Sequence, residues 1–141
     1  MAMAKTASNR SQTLNLINNL LASLQNLCNQ KNNPTIQELE KFFAKSFQLN
    51  SNGIVQCRSS QDYLKRLYHL REKYSHFDIV GPLEEPLICD NQFCVHYELG
   101  LQGKDGKKRQ VLLFATGIFE DNKIANWIQI THEKSANQWD S

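Results

Sequence analysis

The run Phe93-Cys94-Val95-His96-Tyr97-Glu98-Leu99-Gly100-Leu101 alternates large apolar side chains with polar or smaller ones over nine positions. Two denser apolar runs follow, Val111-Leu112-Leu113-Phe114-Ala115-Thr116-Gly117-Ile118-Phe119 and Ile124-Ala125-Asn126-Trp127-Ile128-Gln129-Ile130. A period of two places alternate side chains on opposite faces of an extended chain, so each run reads as a strand. The loop Gln102-Gly103-Lys104-Asp105-Gly106-Lys107 and the short link Phe119-Glu120-Asp121-Asn122-Lys123-Ile124 join them into a meander. The second run is apolar on both sides, Val111, Leu113 and Ala115 on one and Leu112, Phe114 and Ile118 on the other. A strand apolar on both faces must be covered twice. Helices can cover one face, and the simplest cover for the other is a second copy of the chain, which predicts a two-fold homodimer.

The helical signals lie upstream. Ile17, Leu20, Leu21, Leu24, Leu27 and Cys28 recur at steps of three and four, with Asn15, Asn18, Asn19, Gln25 and Asn26 assigned to the wet side. Pro34 and the polar residues before it end that helix. Thr35-Ile36-Gln37-Glu38 is a capping box, predicting a second helix whose buried side carries Ile36, Leu39, Phe42, Phe43 and Phe47. Asn50-Ser51-Asn52-Gly53 is a turn signal, and residues 54–58 predict irregular chain or a short strand. Ser59 or Ser60 caps a third helix running to Tyr74, with Tyr63, Leu67, Leu70 and Tyr74 as its stripe and Asp62, Lys65, Arg66, His69, Glu72 and Lys73 on its charged face. Residues 77–80 read as a strand that breaks at Gly81-Pro82, and Pro86 confines pairing near it to an edge or a bulge.

Composition bounds the function classes. The chain has 141 residues, 40% of them hydrophobic, and Lys+Arg 16 against Asp+Glu 14 for a formal net charge of +2. That balance makes no case for nucleic acid or an anionic membrane as partner. No apolar run approaches the ~18–20 residues of a membrane span. Residues 1–12 lack the apolar core of a secretory signal, and Cys28, Cys57, Cys89 and Cys94 follow no framework spacing, which predicts a soluble cytoplasmic protein with free thiols. The expected organisation is a disordered segment over residues 1–12, a single domain over 13–134 and a tail over 135–141. No motif calls for a metal or another cofactor.

A helix, a capped Phe-rich segment, a turn, a third helix and a meander ending in Phe119-x-x-x-Lys123-Ile124-x-x-Trp127 together resemble the nuclear transport factor 2-like superfamily, which contains SnoaL-like polyketide cyclases, ketosteroid isomerases and limonene epoxide hydrolases. The resemblance covers residues 14–133 and rests on order and spacing. It implies an α+β fold in which a cone-shaped, curved antiparallel or mixed sheet wraps three helices and leaves a pocket at the open end. It also implies dimers formed through the outer sheet face. Laid on the isomerase pattern, Val95, Tyr97, Val111, Leu113, Ala115, Trp127 and Thr131 face that pocket, a mostly apolar site for a small organic ligand. The isomerases' general-base position falls at Asn50 or Ser51, neither of which takes a proton from carbon, and their acid position falls at Ala115. Five residues beyond Trp127 stands His132, a candidate base where cyclases and hydrolases of this group place an aspartate, with Tyr97 as the candidate donor. The alternative is a non-catalytic module that binds a ligand or a protein partner. Cys94 and His96, two apart on a strand, and Cys89 are assigned to the face away from the pocket. Lys104, Lys107, Lys108 and Arg109 read as a solvated hairpin loop.

Overall fold

The computed structural model describes residues 2–134, with side chains from Arg10 onward; the expected tail at 135–141 lies outside the described residues. Helix α1 spans Ala2–Asn29, α2 spans Ile36–Leu39 and α3 spans Ser60–Lys73. The strands are β1 (Phe43–Ser51), β2 (Ile54–Cys57), β3 (Tyr74–Val80), β4 (Leu87–Cys89), β5 (Gln92–Gly103), β6 (Lys108–Glu120) and β7 (Lys123–Lys134). They form one sheet in the order β2-β1-β7-β6-β5-β3, with β4 paired to β5. Every pairing is antiparallel except β1 with β7, which is parallel. The sheet is curved and unclosed, and its concave face receives the helices.

Helix α1 begins at Ala2, and its alanines, Met3, Lys5 and Arg10 favour a helix on intrinsic grounds. Two sequence expectations about the elements are corrected. The second helix does not reach Phe47. It is a single turn, and Phe43 opens β1. Phe43 and Phe47 are four apart, a step that puts two side chains on one face of a helix and equally on one face of a strand. Leu49 and Ser51 continue the even spacing, all four are buried, and pairing of β1 to β7 decides between the two readings. Finally, Tyr74 belongs to β3 rather than to α3, and Leu64 joins Leu67 on the buried side of that helix.

The predicted caps form as read. Thr35 Oγ1 accepts from the Glu38 amide while Glu38 Oε1 accepts from the Thr35 amide, and Ser59 Oγ accepts from the Asp62 amide. In β5, Phe93, Val95, Tyr97 and Leu101 point inward and are buried, as do Val111, Leu113, Ala115, Gly117 and Phe119 in β6. Ile17, Leu20, Leu21, Leu24 and Leu27 of α1 complete the core against them.

Gln25, assigned to the wet side of α1, and Asn29, at its end, have another task. Gln25 bonds the Phe77 carbonyl and the Ile79 amide, and Asn29 bonds both backbone groups of Phe77. These side chains cover the free backbone of β3, the last strand in the sheet, and block it from pairing with another chain. Arg71 reaches from α3 to the Leu27 and Gln30 carbonyls at the end of α1, satisfying oxygens that the helix leaves unpaired.

Candidate functional site

Between α1, α3 and the concave face lies a cavity of about 110 Å³. One wall is aromatic: Phe43, Phe47 and Tyr63 pack with centroids 4.7–5.2 Å apart. Tyr97 and Trp127, also in the lining, meet edge to face at 6.3 Å. Leu20, Leu24 and Cys28 from α1, with Leu113 from β6, close the sides. Trp127 is held by a short polar chain, its Nε1 donating to Gln129 Oε1 at 2.9 Å while Gln129 Nε2 donates to Ser51 Oγ at 3.2 Å. Tyr97 is pinned from outside, since a Cβ on Gly81 would lie 2.5 Å from the Tyr97 Cβ, so only glycine lets the chain cross there.

Burial sets the protonation states. It pushes the Tyr97 and Tyr63 hydroxyls far above the ordinary phenol range, and the Cys28 thiol from 9.0 up to about 11, with Arg71 pulling slightly the other way. All three groups are therefore neutral donors at pH 7. Neither tyrosine hydroxyl has a protein hydrogen-bond partner among the described residues. Hydroxyls that line a mostly apolar chamber without a protein partner are open to an acceptor on a bound molecule.

The expected site residues separate into groups. Tyr97, Leu113 and Trp127 line the cavity. Val95, Val111 and Ala115 share its face but pack into the core beside it. Thr131 is engaged at the β1–β2 turn, where its Oγ1 accepts from Asn52 Nδ2 at 2.8 Å. His132 is not brought to Tyr97. In the β6–β7 register Thr131 opposes Leu113, whereas His132 opposes Leu112 on the convex face, where it is exposed. Of the positions aligned with the isomerase base, Ser51 accepts from Gln129, and Asn50 Oδ1 is buried without a partner. Tyr63, Cys28, Arg66 and Gln129 were not anticipated as cavity residues. The helical stripes already contained Tyr63 and Cys28, so the signal present was a polar atom on a buried face.

On the convex face Phe114 is 51% exposed, Ile128 49% and Ile130 65%. His96 stacks on Phe114 at 3.9 Å and faces Glu84 at 3.2 Å. Cys94 lies on this face too, and all four cysteines are free. No group of His, Cys, Asp and Glu among the described residues is placed to hold a metal ion, and no helix among them is long and apolar enough to cross a membrane.

Helices seated in a curved mixed sheet, with a cavity between them, define the nuclear transport factor 2-like fold expected above. No family profile matches the chain, and no curated protein matches it. Solved structures do. AusH from Aspergillus nidulans aligns with TM-score 0.70 and 14% identity over 92% of this chain and 90% of that one. An LEH-like epoxide hydrolase from M. tuberculosis aligns with TM-score 0.68 and 11% identity over 86% and 84%. A SnoaL-like protein from Jannaschia sp. CCS1 aligns with TM-score 0.67 and 11% identity over 86% and 85%. At such identities the likeness is one of fold, and function has to be argued from the site.

Proposed function

We propose that the protein binds a small, largely apolar organic molecule in the concave cavity. The observation that carries this reading is the pair of tyrosines, Tyr63 and Tyr97, that line a mostly apolar chamber and whose hydroxyls bond no protein group among the described residues. A mostly apolar enclosure with a few convergent polar groups is the usual make-up of a small-molecule site. An oxygen acceptor on the ligand would receive one or both hydroxyls, and Trp127 would pack against its apolar body.

The cavity's chemistry favours binding over base catalysis. Its phenols and thiol hold their protons at neutral pH, so they donate and do not abstract. Tyr97 remains a donor able to polarise a bound carbonyl or epoxide oxygen, the part of an acid–base mechanism this site retains. His132, on the opposite face, is not proposed as its base.

The apolar convex face supports a homodimer formed through Phe114, Ile128 and Ile130, since a monomer would leave these three side chains in water.

Titration with cyclohexanol, followed by Trp127 fluorescence in a W139F background, tests the binding reading. Saturable quenching that is weakened by Tyr97→Phe and abolished by the cavity-filling Leu113→Phe is expected. Unsaturable quenching that ignores both substitutions would refute it.

A further inference from the structure

Among the described residues the cavity has one charged lining residue, and none of them forms an ion pair with it. Arg66, on α3, lines the chamber together with Leu70, and both also line a surface groove formed with Gln56, Asp62, Lys65 and His69. Chamber and groove therefore meet at Arg66, which stands half-buried at the boundary. Its Nη1 donates to Gln56 Oε1 at 3.2 Å, a neutral amide oxygen. The other arginines that contact the core's margin are satisfied differently. Arg10 is paired with Glu85 and Arg109 with Glu133, while Arg71 is spent on two carbonyls.

Asp62 lies one helical turn before Arg66 but forms no ion pair with it. Its Oδ2 accepts instead from the Arg58 amide at 3.0 Å. Lys65 and His69, one turn apart on the same helix, face the same groove. The charge of Arg66 is felt inside the chamber as well, where it acts on the Tyr63 hydroxyl in the direction opposite to burial. A guanidinium at the edge of an apolar chamber, with free donors and no carboxylate bonded to it, is complementary to an anion arriving with an apolar body.

We propose that the ligand of this cavity is an amphiphilic monocarboxylate, its apolar body enclosed between Tyr63, Tyr97 and Trp127 and its carboxylate held at the mouth by Arg66, with Lys65 adding positive charge from the groove. This rests on the binding reading above and deepens it by fixing the ligand's charge and orientation. Inside, the tyrosine hydroxyls then serve a second oxygen on the body where the ligand has one. The anionic end remains in the open groove, so the chamber need not enclose a charge.

Hexanoate and hexan-1-ol share a chain and differ in the head group, and both are transparent where Trp127 is excited. Dissociation constants for each are measured at pH 7 in W139F and in that background with R66Q or R66K. Hexanoate is expected to bind about tenfold or more tightly than hexan-1-ol. R66Q brings the ratio close to one, R66K keeps most of it, and 0.5 M NaCl reduces it, as screening of a surface charge requires. Equal affinities in the Arg66 protein, or a preference that survives R66Q, would overturn the proposal while leaving the cavity reading standing. Failure of both compounds to bind would overturn the two together. Unchanged thermal unfolding of R66Q and R66K establishes that the comparison is made on folded protein.

Discussion

Gly117 offers a sharp test of how the inner face is packed. A Cβ built there would collide with the Phe93 ring, at its Cζ and Cε1. Phe93 is held by its neighbours. It is 3% exposed, with Phe119 at 5.1 Å and Trp127 at 5.7 Å, centroid to centroid. Replacing a strand glycine by alanine gains about 0.5–1 kcal/mol of backbone entropy. Overpacking a close-packed core costs about 1–3 kcal/mol. The collision is with a trapped ring, so the cost prevails and Gly117→Ala loses about 1–2 kcal/mol net. With a urea slope of about 2 kcal/mol/M, within the usual range, that moves the unfolding midpoint down by roughly 0.5–1 M. Phe93→Leu removes the obstructing ring edge, so in that background the same substitution should cost at least ~1 kcal/mol less. Equilibrium urea unfolding of the four proteins in the cycle gives the answer. A Gly117→Ala protein as stable as its parent, or a cost that is the same with and without Phe93→Leu, would refute this packing of the aromatic wall behind Trp127.

Other outcomes follow from the same structure. The Cys28 thiol is ordinary at 9.0 when unfolded and raised to about 11 in the fold; its contribution of on the order of 2–3 kcal/mol is present below pH 9 and lost as the pH rises to about 11. Cys28→Ala should flatten the fall of stability between pH 9 and 10, and an unchanged slope would show that the thiol is not desolvated. Iodoacetamide at pH 7.5 should label exposed Cys89 first and buried Cys57 last, as peptide mass spectrometry will read; early labelling of Cys57 would contradict its burial. Ile130→Asp, at a position 65% exposed in the monomer, should leave monomer stability within ~0.5 kcal/mol while shifting sedimentation from dimer to monomer; a dimer that persists would place the interface elsewhere. Gln25→Ala uncovers two backbone groups of β3 and should cost about 1–2 kcal/mol in urea unfolding, accompanied by faster amide exchange at Ile79; unchanged exchange there would discount its role as an edge cover.

The parts of the fold that were legible in the sequence are those in which one period had no competitor. The β5 alternation, the two-sided apolar run of β6 and the Thr35 and Ser59 caps all formed as read. The Phe43 to Phe47 segment was misread because a four-residue step satisfies both periodicities, and the strand that settles the matter, β7, lies about eighty residues later. The three-residue β4 lies next to Pro86 and is too short to show a period. For the site, strand positions were readable to the correct face but not to the cavity. Val95 and Tyr97 have the same inward orientation, yet only Tyr97 reaches the chamber. The helical contributors were hidden for another reason: Tyr63 and Cys28 counted as core, and Arg66 as solvent-facing, because helical pattern assigns faces and not the gaps between them. Position 132 shows how much one step matters in a strand, since Thr131 and His132 project from opposite faces of the sheet.

The central claim is that the chamber bounded by Tyr63, Tyr97 and Trp127 holds a ligand. A crystal structure of the protein grown with hexanoate tests it directly. The account predicts density for an alkyl chain between Tyr97 and Trp127, with the carboxylate within hydrogen-bonding distance of Arg66. A chamber closed by side chains, with the compound bound only on the convex face beside Phe114 and Ile130, would contradict it.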